Sequence, residues 1–116
     1  MATVMIVEDD PQLARMLAVL LEFEGYSVRI CPTPERALDY IREARPDVVV
    51  MDFYLGKTRA TEVLRSLRED PELRGVKVVV VSGDDQEAAA RAAGADAFLF
   101  KPFSVEELIQ RILQLG

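Results

Sequence analysis

Short apolar runs alternate along this chain with longer segments in which apolar residues recur every third or fourth position. Val4-Met5-Ile6-Val7, Val48-Val49-Val50-Met51, Val78 to Val81 and Phe98-Leu99-Phe100 are strongly apolar, and each run ends at a polar residue. Such runs read as strands buried on both faces of a parallel sheet. A further segment, Tyr26 to Cys31, alternates Val28 and Ile30 with Ser27, Arg29 and Cys31, and reads as a half-exposed edge strand. Strand and helix alternate five times. This predicts an α/β fold: a single doubly wound (βα)5 domain with helices on both faces of a parallel five-stranded sheet.

Local signals bound the helices. Asp10-Pro11 supplies an N-cap and a first-turn proline to a helix carrying Leu13, Met16, Leu17, Leu20 and Leu21, which Gly25 stops. Thr33-Pro34 opens the second helix by the same logic, and Pro46 closes it. The third is expected from Arg59 to Glu69, before Asp70-Pro71. Asp84-Asp85-Gln86-Glu87 offers a capped start to the fourth, which Gly94 ends. Ser104-Val105-Glu106-Glu107 is a capping box for the fifth, whose apolar face is Val105, Leu108, Ile109 and Ile112.

The polar residues that end the apolar runs carry the chemistry. They are Glu8-Asp9, Asp52, Ser82 and Lys101-Pro102. The carboxyl ends of parallel strands share one edge of the sheet, where open α/β folds bind ligands. Right-handed crossovers and the strand order 2-1-3-4-5 place the first and third strands side by side, so Glu8 and Asp9 are expected next to Asp52. Like charges about 4 Å apart repel by about 4 kcal/mol at an intermediate dielectric. Three carboxylates are therefore not gathered for stability, and a divalent cation resolves the conflict. Mg²⁺ suits carboxylates and water, with Asp9 and Asp52 as direct ligands, Glu8 reaching it through water, and the backbone carbonyl of Tyr54 as a further oxygen.

A carboxylate also attacks phosphorus to give an acyl phosphate, and Asp52, at the end of the central strand, is the candidate nucleophile. Such transfer needs positioning and charge balance more than covalent machinery. Lys101 is placed to pair with one phosphoryl oxygen and Ser82 to donate to another, while Gly83 leaves room for a backbone N–H to approach. Singly, each residue has an ordinary explanation: Asp10 as a helix cap, Asp52 as a strand-end residue in a turn. Their coincidence at successive strand ends is what points to a shared site.

Composition narrows the choice. The 116 residues suffice for one domain, expected to span 1–116 with no output domain. A formal net charge of -6 argues against direct contact with nucleic acid. The chain has no histidine, which excludes a Ser-His-Asp triad and any phosphohistidine of its own, so a phosphoryl group must arrive from another molecule. Cys31 is the single cysteine, which excludes an internal disulfide and reads as an apolar filler. The longest apolar stretch, Met16 to Leu21, is too short to span a bilayer, and Met1-Ala2-Thr3 runs straight into a strand. A cytoplasmic protein with no membrane contact is expected.

Together these residues resemble the receiver domain of bacterial two-component response regulators. The likeness covers essentially the whole chain: the acidic pair Glu8-Asp9, Asp52 as acceptor, Ser82 with its small neighbour Gly83, the Lys101-Pro102 dipeptide, and the five-fold β-α alternation. It implies a flavodoxin-like fold, Mg²⁺-dependent phosphotransfer to Asp52 from a histidine kinase or phosphotransfer protein, and a cis peptide before Pro102. It also implies a switch. Ser82 moves towards the phosphoryl group, and an aromatic residue three before the lysine, here Phe98, changes rotamer. The face formed by the fourth helix, fifth strand and fifth helix is remodelled for a downstream protein target. Phe100 lies on the same sheet face and is the competitor for that role, and core packing is the ordinary reading of Phe98. The protein is expected to be a monomer or a phosphorylation-dependent dimer.

The chain departs from the family pattern after the acceptor. Gly56 stands where the family usually has proline, and Ala60 where it has glycine. The loop Leu55-Gly56-Lys57-Thr58-Arg59 is therefore expected to be flexible, with Lys57 and Arg59 as solvated charges. Tyr54 is placed to shield an acyl phosphate from water. Two rivals remain. One is a pseudo-receiver that docks without being phosphorylated. The other is an Asp-nucleophile phosphohydrolase resembling the haloacid dehalogenases, which want an acid where Tyr54 stands and extra domains for which this length leaves no room. The expected role is a switch that assists its own phosphorylation and dephosphorylation, and not an enzyme acting on an external metabolite.

Overall fold

The computed structural model describes residues 2–115, so Met1 and Gly116, the ends of the expected domain span, lie outside the described residues. The elements are β1 (Thr3–Val7), α1 (Pro11–Phe23), β2 (Ser27–Ile30), α2 (Ala37–Ala44), β3 (Val48–Asp52), α3 (Ala60–Glu69), β4 (Lys77–Ser82), α4 (Glu87–Ala93), β5 (Ala97–Phe100) and α5 (Val105–Leu115). The five strands pair in parallel in the order β2-β1-β3-β4-β5, the flavodoxin-like arrangement expected from the alternation.

Side chains alternate faces along each strand, and this builds two cores. Met5, Val7, Val49, Met51, Val78, Val80 and Phe98 pack beneath α2, α3 and α4. Val4, Ile6, Val48, Val50, Val79, Val81, Ala97 and Leu99 pack beneath α1 and α5. Every residue of β3 is buried, as the unbroken run Val48 to Met51 requires. Among the described residues, no helix is long and apolar enough to cross a membrane.

Two caps form as read. Asp10 accepts from the backbone of Gln12 and Leu13, ahead of Pro11. Ser104 and Glu107 exchange reciprocal bonds of 3.1 Å, closing the capping box of α5. Two others do not. Thr33 makes no side-chain cap; a 3-10 turn, Pro34–Arg36, precedes α2 and is closed by Arg36 N–H donating to the Thr33 carbonyl at 2.8 Å. The cap position of α4 is Gln86, also without a side-chain cap bond, while the Asp85 carboxylate just before it accepts the Glu87 backbone N–H at 3.4 Å and Asp84 bonds Ser82 and Tyr54.

Two burial patterns also differ from the reading. β2 stops at Ile30, which is largely exposed, while Cys31 turns inward and donates its thiol to the Thr33 carbonyl at 3.3 Å. The Cys31 backbone N–H still donates to the Ile6 carbonyl at 2.8 Å, so the thiol is buried at the end of the ladder, as an apolar filler would be. On α1 the sheet takes Ala14, Leu17, Ala18 and Leu21, whose two alanines let the helix lie close. Met16 (51% exposed) and Phe23 (90%) face outward with Val19 and Leu20.

The loop after β3 is folded. Tyr54–Leu55 pairs antiparallel with Thr58–Arg59 around Gly56-Lys57. Gly56 has φ +64° at the first central position, where a two-residue hairpin of type II′ requires glycine. This glycine makes a tight turn of the segment expected to be flexible.

Candidate functional site

Strand register brings the carboxylates together. Val7 pairs with Met51, and Asp52 with Val81, so Glu8 and Asp52 leave the sheet at one level on neighbouring strands. Lys101 follows β5 and anchors its backbone N–H on the Ser82 carbonyl at 2.8 Å. Its side chain reaches back across the strand ends. Nζ donates to Glu8 Oε1 at 2.8 Å and to Asp52 Oδ2 at 3.1 Å. The Lys101–Pro102 peptide is cis, as the resemblance implies.

The three groups hold one another in charge balance. Burial is the main cause raising the Asp52 pKa above its ordinary value, and the Glu8 charge adds to it, against the opposing pull of Lys101. Burial disfavours the Lys101 ammonium, yet hydrogen bonds and attraction from Glu8 and Asp52 outweigh it and leave the lysine pKa raised. Glu8 and Asp52 are both buried residues. Removing Lys101 would leave two carboxylates facing each other with little solvent.

The remaining expected residues divide. Asp9 is exposed, at a cleft of about 250 Å³ bounded by Glu8, Pro11, Arg15, Ile30 and Pro34. Ser82 is fully buried at the end of β4, but its hydroxyl donates to Asp84 Oδ1 and not towards Asp52. A Cβ on Gly83 would meet no atom within 4 Å, so space there is open. Phe98 is 4% exposed and packs in the core, edge-to-face with Phe100 at 5.1 Å between ring centres, while Phe100 itself is 48% exposed. Arg59, read as solvated, places its guanidinium 4.8 Å from the centre of the Tyr54 ring. Asp84 and Gln86 were missed as site residues, because an acidic stretch before a helix reads first as a cap.

The donor set fits a hard divalent cation in its chemistry. Glu8, Asp9 and Asp52 offer carboxylate oxygens against the single ammonium of Lys101, which leaves a formal negative excess at the cleft. Side-chain placement is another matter. Among the described residues, no three Asp, Glu, His or Cys side chains lie together as a metal-binding group. Glu8, with its longer arm, is the inward member of the pair and is tied to Lys101, whereas Asp9, expected as a direct ligand, stands outside.

Fold and cleft define a doubly wound α/β domain with an acidic site at the carboxyl edge of its sheet. The response regulator receiver domain family matches residues 4–113, and the chain belongs to that family. Response regulator MprA of Mycolicibacterium vanbaalenii is 36% identical over 115 residues, 97% of this chain and 49% of that protein. DNA-binding response regulator MtrA of Mycolicibacterium smegmatis is 33% identical over 109 residues, 94% of this chain and 48% of that protein. The chain thus spans about half the length of these relatives. Among solved structures, the Francisella response regulator 1452 receiver domain superposes with a TM-score of 0.89 at 26% identity, covering 99% of this chain and 96% of the other. The receiver domain of sensor histidine kinase PA1611 from Pseudomonas aeruginosa, with a magnesium ion coordinated in its active site cleft, gives 0.84 at 27% identity, covering 97% and 94%.

Proposed function

We propose that Asp52 accepts a phosphoryl group from a phosphohistidine on a partner kinase or phosphotransfer protein, in a reaction that requires Mg²⁺. A carboxylate oxygen of Asp52 forms the new bond to phosphorus as the bond to the imidazole nitrogen breaks, and the nitrogen keeps the electron pair. The observation that carries this reading is Lys101 Nζ bridging Glu8 and Asp52, a cation already poised over the acceptor. Lys101 is free to exchange a carboxylate for a phosphoryl oxygen, because either acceptor satisfies it. Asp9, Asp52 and the Tyr54 carbonyl would hold Mg²⁺, with Glu8 acting through water, once Asp9 turns inward. Bound there, the ion would supply charge balance for the incoming phosphoryl group. The Tyr54 ring shields the product from water.

In this reading the domain turns over no external metabolite. Its signal leaves through the surface of α4, β5 and α5, where Phe98 and Phe100 share one face of the edge strand. Any contact with DNA belongs to another module, since a net charge of -6 repels phosphates. The exposed position of Asp9 favours a second reading, a docking module that is never phosphorylated.

Incubation with Mg²⁺ and a small phosphoramidate, followed by intact mass, separates the readings. The switch gains one phosphoryl group that is lost on standing, and Asp52→Asn gains none. An unchanged mass would favour the docking module.

A further inference from the structure

Four side chains outside the Lys101 bridge form a closed network at the mouth of the cleft. The Ser82 hydroxyl donates to Asp84 Oδ1 at 2.5 Å and accepts the Asp84 backbone N–H at 3.3 Å. Asp84 Oδ2 accepts from the Tyr54 hydroxyl at 2.7 Å and from Gln86 Nε2 at 3.2 Å, and Gln86 Nε2 also donates to the Tyr54 hydroxyl at 3.2 Å. Tyr54 is itself braced, its ring 4.8 Å from the Arg59 guanidinium and in an edge-to-face pair with Phe53 at 4.9 Å between ring centres. The network therefore joins the hairpin after β3 to the loop after β4, the two segments that flank Asp52.

A serine hydroxyl carries one proton. While Ser82 gives that proton to Asp84, it has none to give a phosphoryl group on Asp52. The two partners compete, and both are anionic. A phosphoryl group brings a charge of about -1.5 to -2, which also repels the Asp84 carboxylate. Asp84 is exposed, so a released carboxylate regains water at little cost. The hydrogen bonds from Ser82, Tyr54 and Gln86 hold the Asp84 pKa below its ordinary value, so the carboxylate is an anion throughout the physiological range.

We propose that Asp84, braced by Tyr54 and Gln86, is a latch that withholds the Ser82 hydroxyl from the cleft, and that its release governs how readily Asp52 gains and keeps a phosphoryl group. This rests on Asp52 as the acceptor. Asp84 and Tyr54 are positioning residues in it, acting through Ser82.

The test has two arms. In the unphosphorylated protein, NMR detects the Ser82 hydroxyl proton as slowly exchanging, and Asp84→Ala makes its exchange fast while Asp84→Asn, which keeps an acceptor, preserves it. With a small phosphoramidate and Mg²⁺, Asp84→Ala takes up the phosphoryl group about fivefold faster, the worth of one freed hydrogen bond, and Tyr54→Phe shows a smaller gain. In a Ser82→Ala background the Asp84→Ala gain disappears. Equal uptake by wild type and Asp84→Ala overturns the latch. So does a gain that survives in the Ser82→Ala background, which would be a charge effect alone. A wild-type chain that takes up no phosphoryl group overturns the proposed function and the latch with it.

Discussion

Each end of the sheet carries a knot of polar side chains, and the two are built in opposite ways. At the amino end, Arg68 reaches from the last turn of α3 and spends its guanidinium on fixed acceptors. It donates to the carbonyls of Gly94, Arg74 and Val76 at 2.6 to 3.0 Å and to Asp96 Oδ2 at 2.9 Å. Asp96 Oδ2 in turn accepts the Val78 backbone N–H at 2.8 Å. One cation is matched by one carboxylate and by three backbone carbonyls held in place by the chain. At the carboxyl end, Lys101 serves two carboxylates, a third is turned out to solvent, and the Ser82 hydroxyl is held by a fourth. The amino end is satisfied by partners that cannot leave. In the proposed function, the carboxyl end is satisfied by partners that can be exchanged. Under that function, the first contributes stability and the second responsiveness.

That contrast can be broken from either side. The largest effect is expected at the amino end. Arg68→Ala leaves Asp96 without its cation and the part-buried carbonyls of Gly94 and Val76 without a side-chain donor, and should cost about 3 kcal/mol, which lowers the melting temperature by roughly 10 °C. Phosphoryl uptake by the folded fraction should not change. A melt within about 3 °C of wild type would remove the structural role given to Arg68.

The next effect belongs to the carboxyl end. Mg²⁺ at about a hundred times its dissociation constant should stabilise the fold by about 2.7 kcal/mol through mass action, and chelation should reverse it. Asp9→Asn should weaken the response, read by thermal melts across a metal titration. A melt indifferent to Mg²⁺ would argue that the negative excess there is left uncompensated.

Gly94→Ala returns to the amino end with a smaller cost, about 1 to 2 kcal/mol. Gly94 has φ +118°, and a Cβ there would lie 2.7 Å from Arg68 Cγ. In the Arg68→Ala background the steric part of that cost should vanish, which a double-mutant cycle by denaturant unfolding would detect.

The smallest effect has the opposite sign. The Asp52 pKa is raised in the folded chain, so the fold binds that proton more tightly than the unfolded chain does. Its stabilising contribution is present at low pH and is lost as pH rises from the ordinary carboxylate value through the raised one. Asp52→Asn should therefore melt slightly higher than wild type at neutral pH, with the gap closing as pH falls through the carboxylate range. A lower melt at neutral pH would mean that Lys101 outweighs burial and Glu8.

The two ends also differ in how far they were legible from sequence. The strand runs around Val50 and Val80 announce themselves, because a buried parallel strand has no polar face to hide the signal. Glu8 and Asp52 could be brought together in advance, since strand order decides which strand ends are neighbours, whereas Lys101, beyond the edge strand, joins them by the length of its side chain. Arg68 was invisible. Its partners are mostly backbone carbonyls, which leave no mark in a sequence. Asp84 was seen and misread: next to a helix start an aspartate predicts a cap, and only the position of Tyr54, set by the hairpin around Gly56, shows that it faces the cleft. Met16 and Leu20 fall on the apolar face that the spacing predicts for α1 yet are exposed, because apolar spacing gives the period of a helix and not how wide a face its neighbours cover.

The central claim is that Lys101 is an exchangeable partner of the acceptor Asp52, and a crystal structure grown with Mg²⁺ and beryllofluoride, a phosphoryl mimic, tests it most directly. A beryllofluoride adduct on Asp52 is expected, with Lys101 Nζ moved from the carboxylates to one of its fluorides and the ion held by Asp9 and Asp52. Lys101 still bridging Glu8 and an unmodified Asp52 under saturating reagent would contradict it.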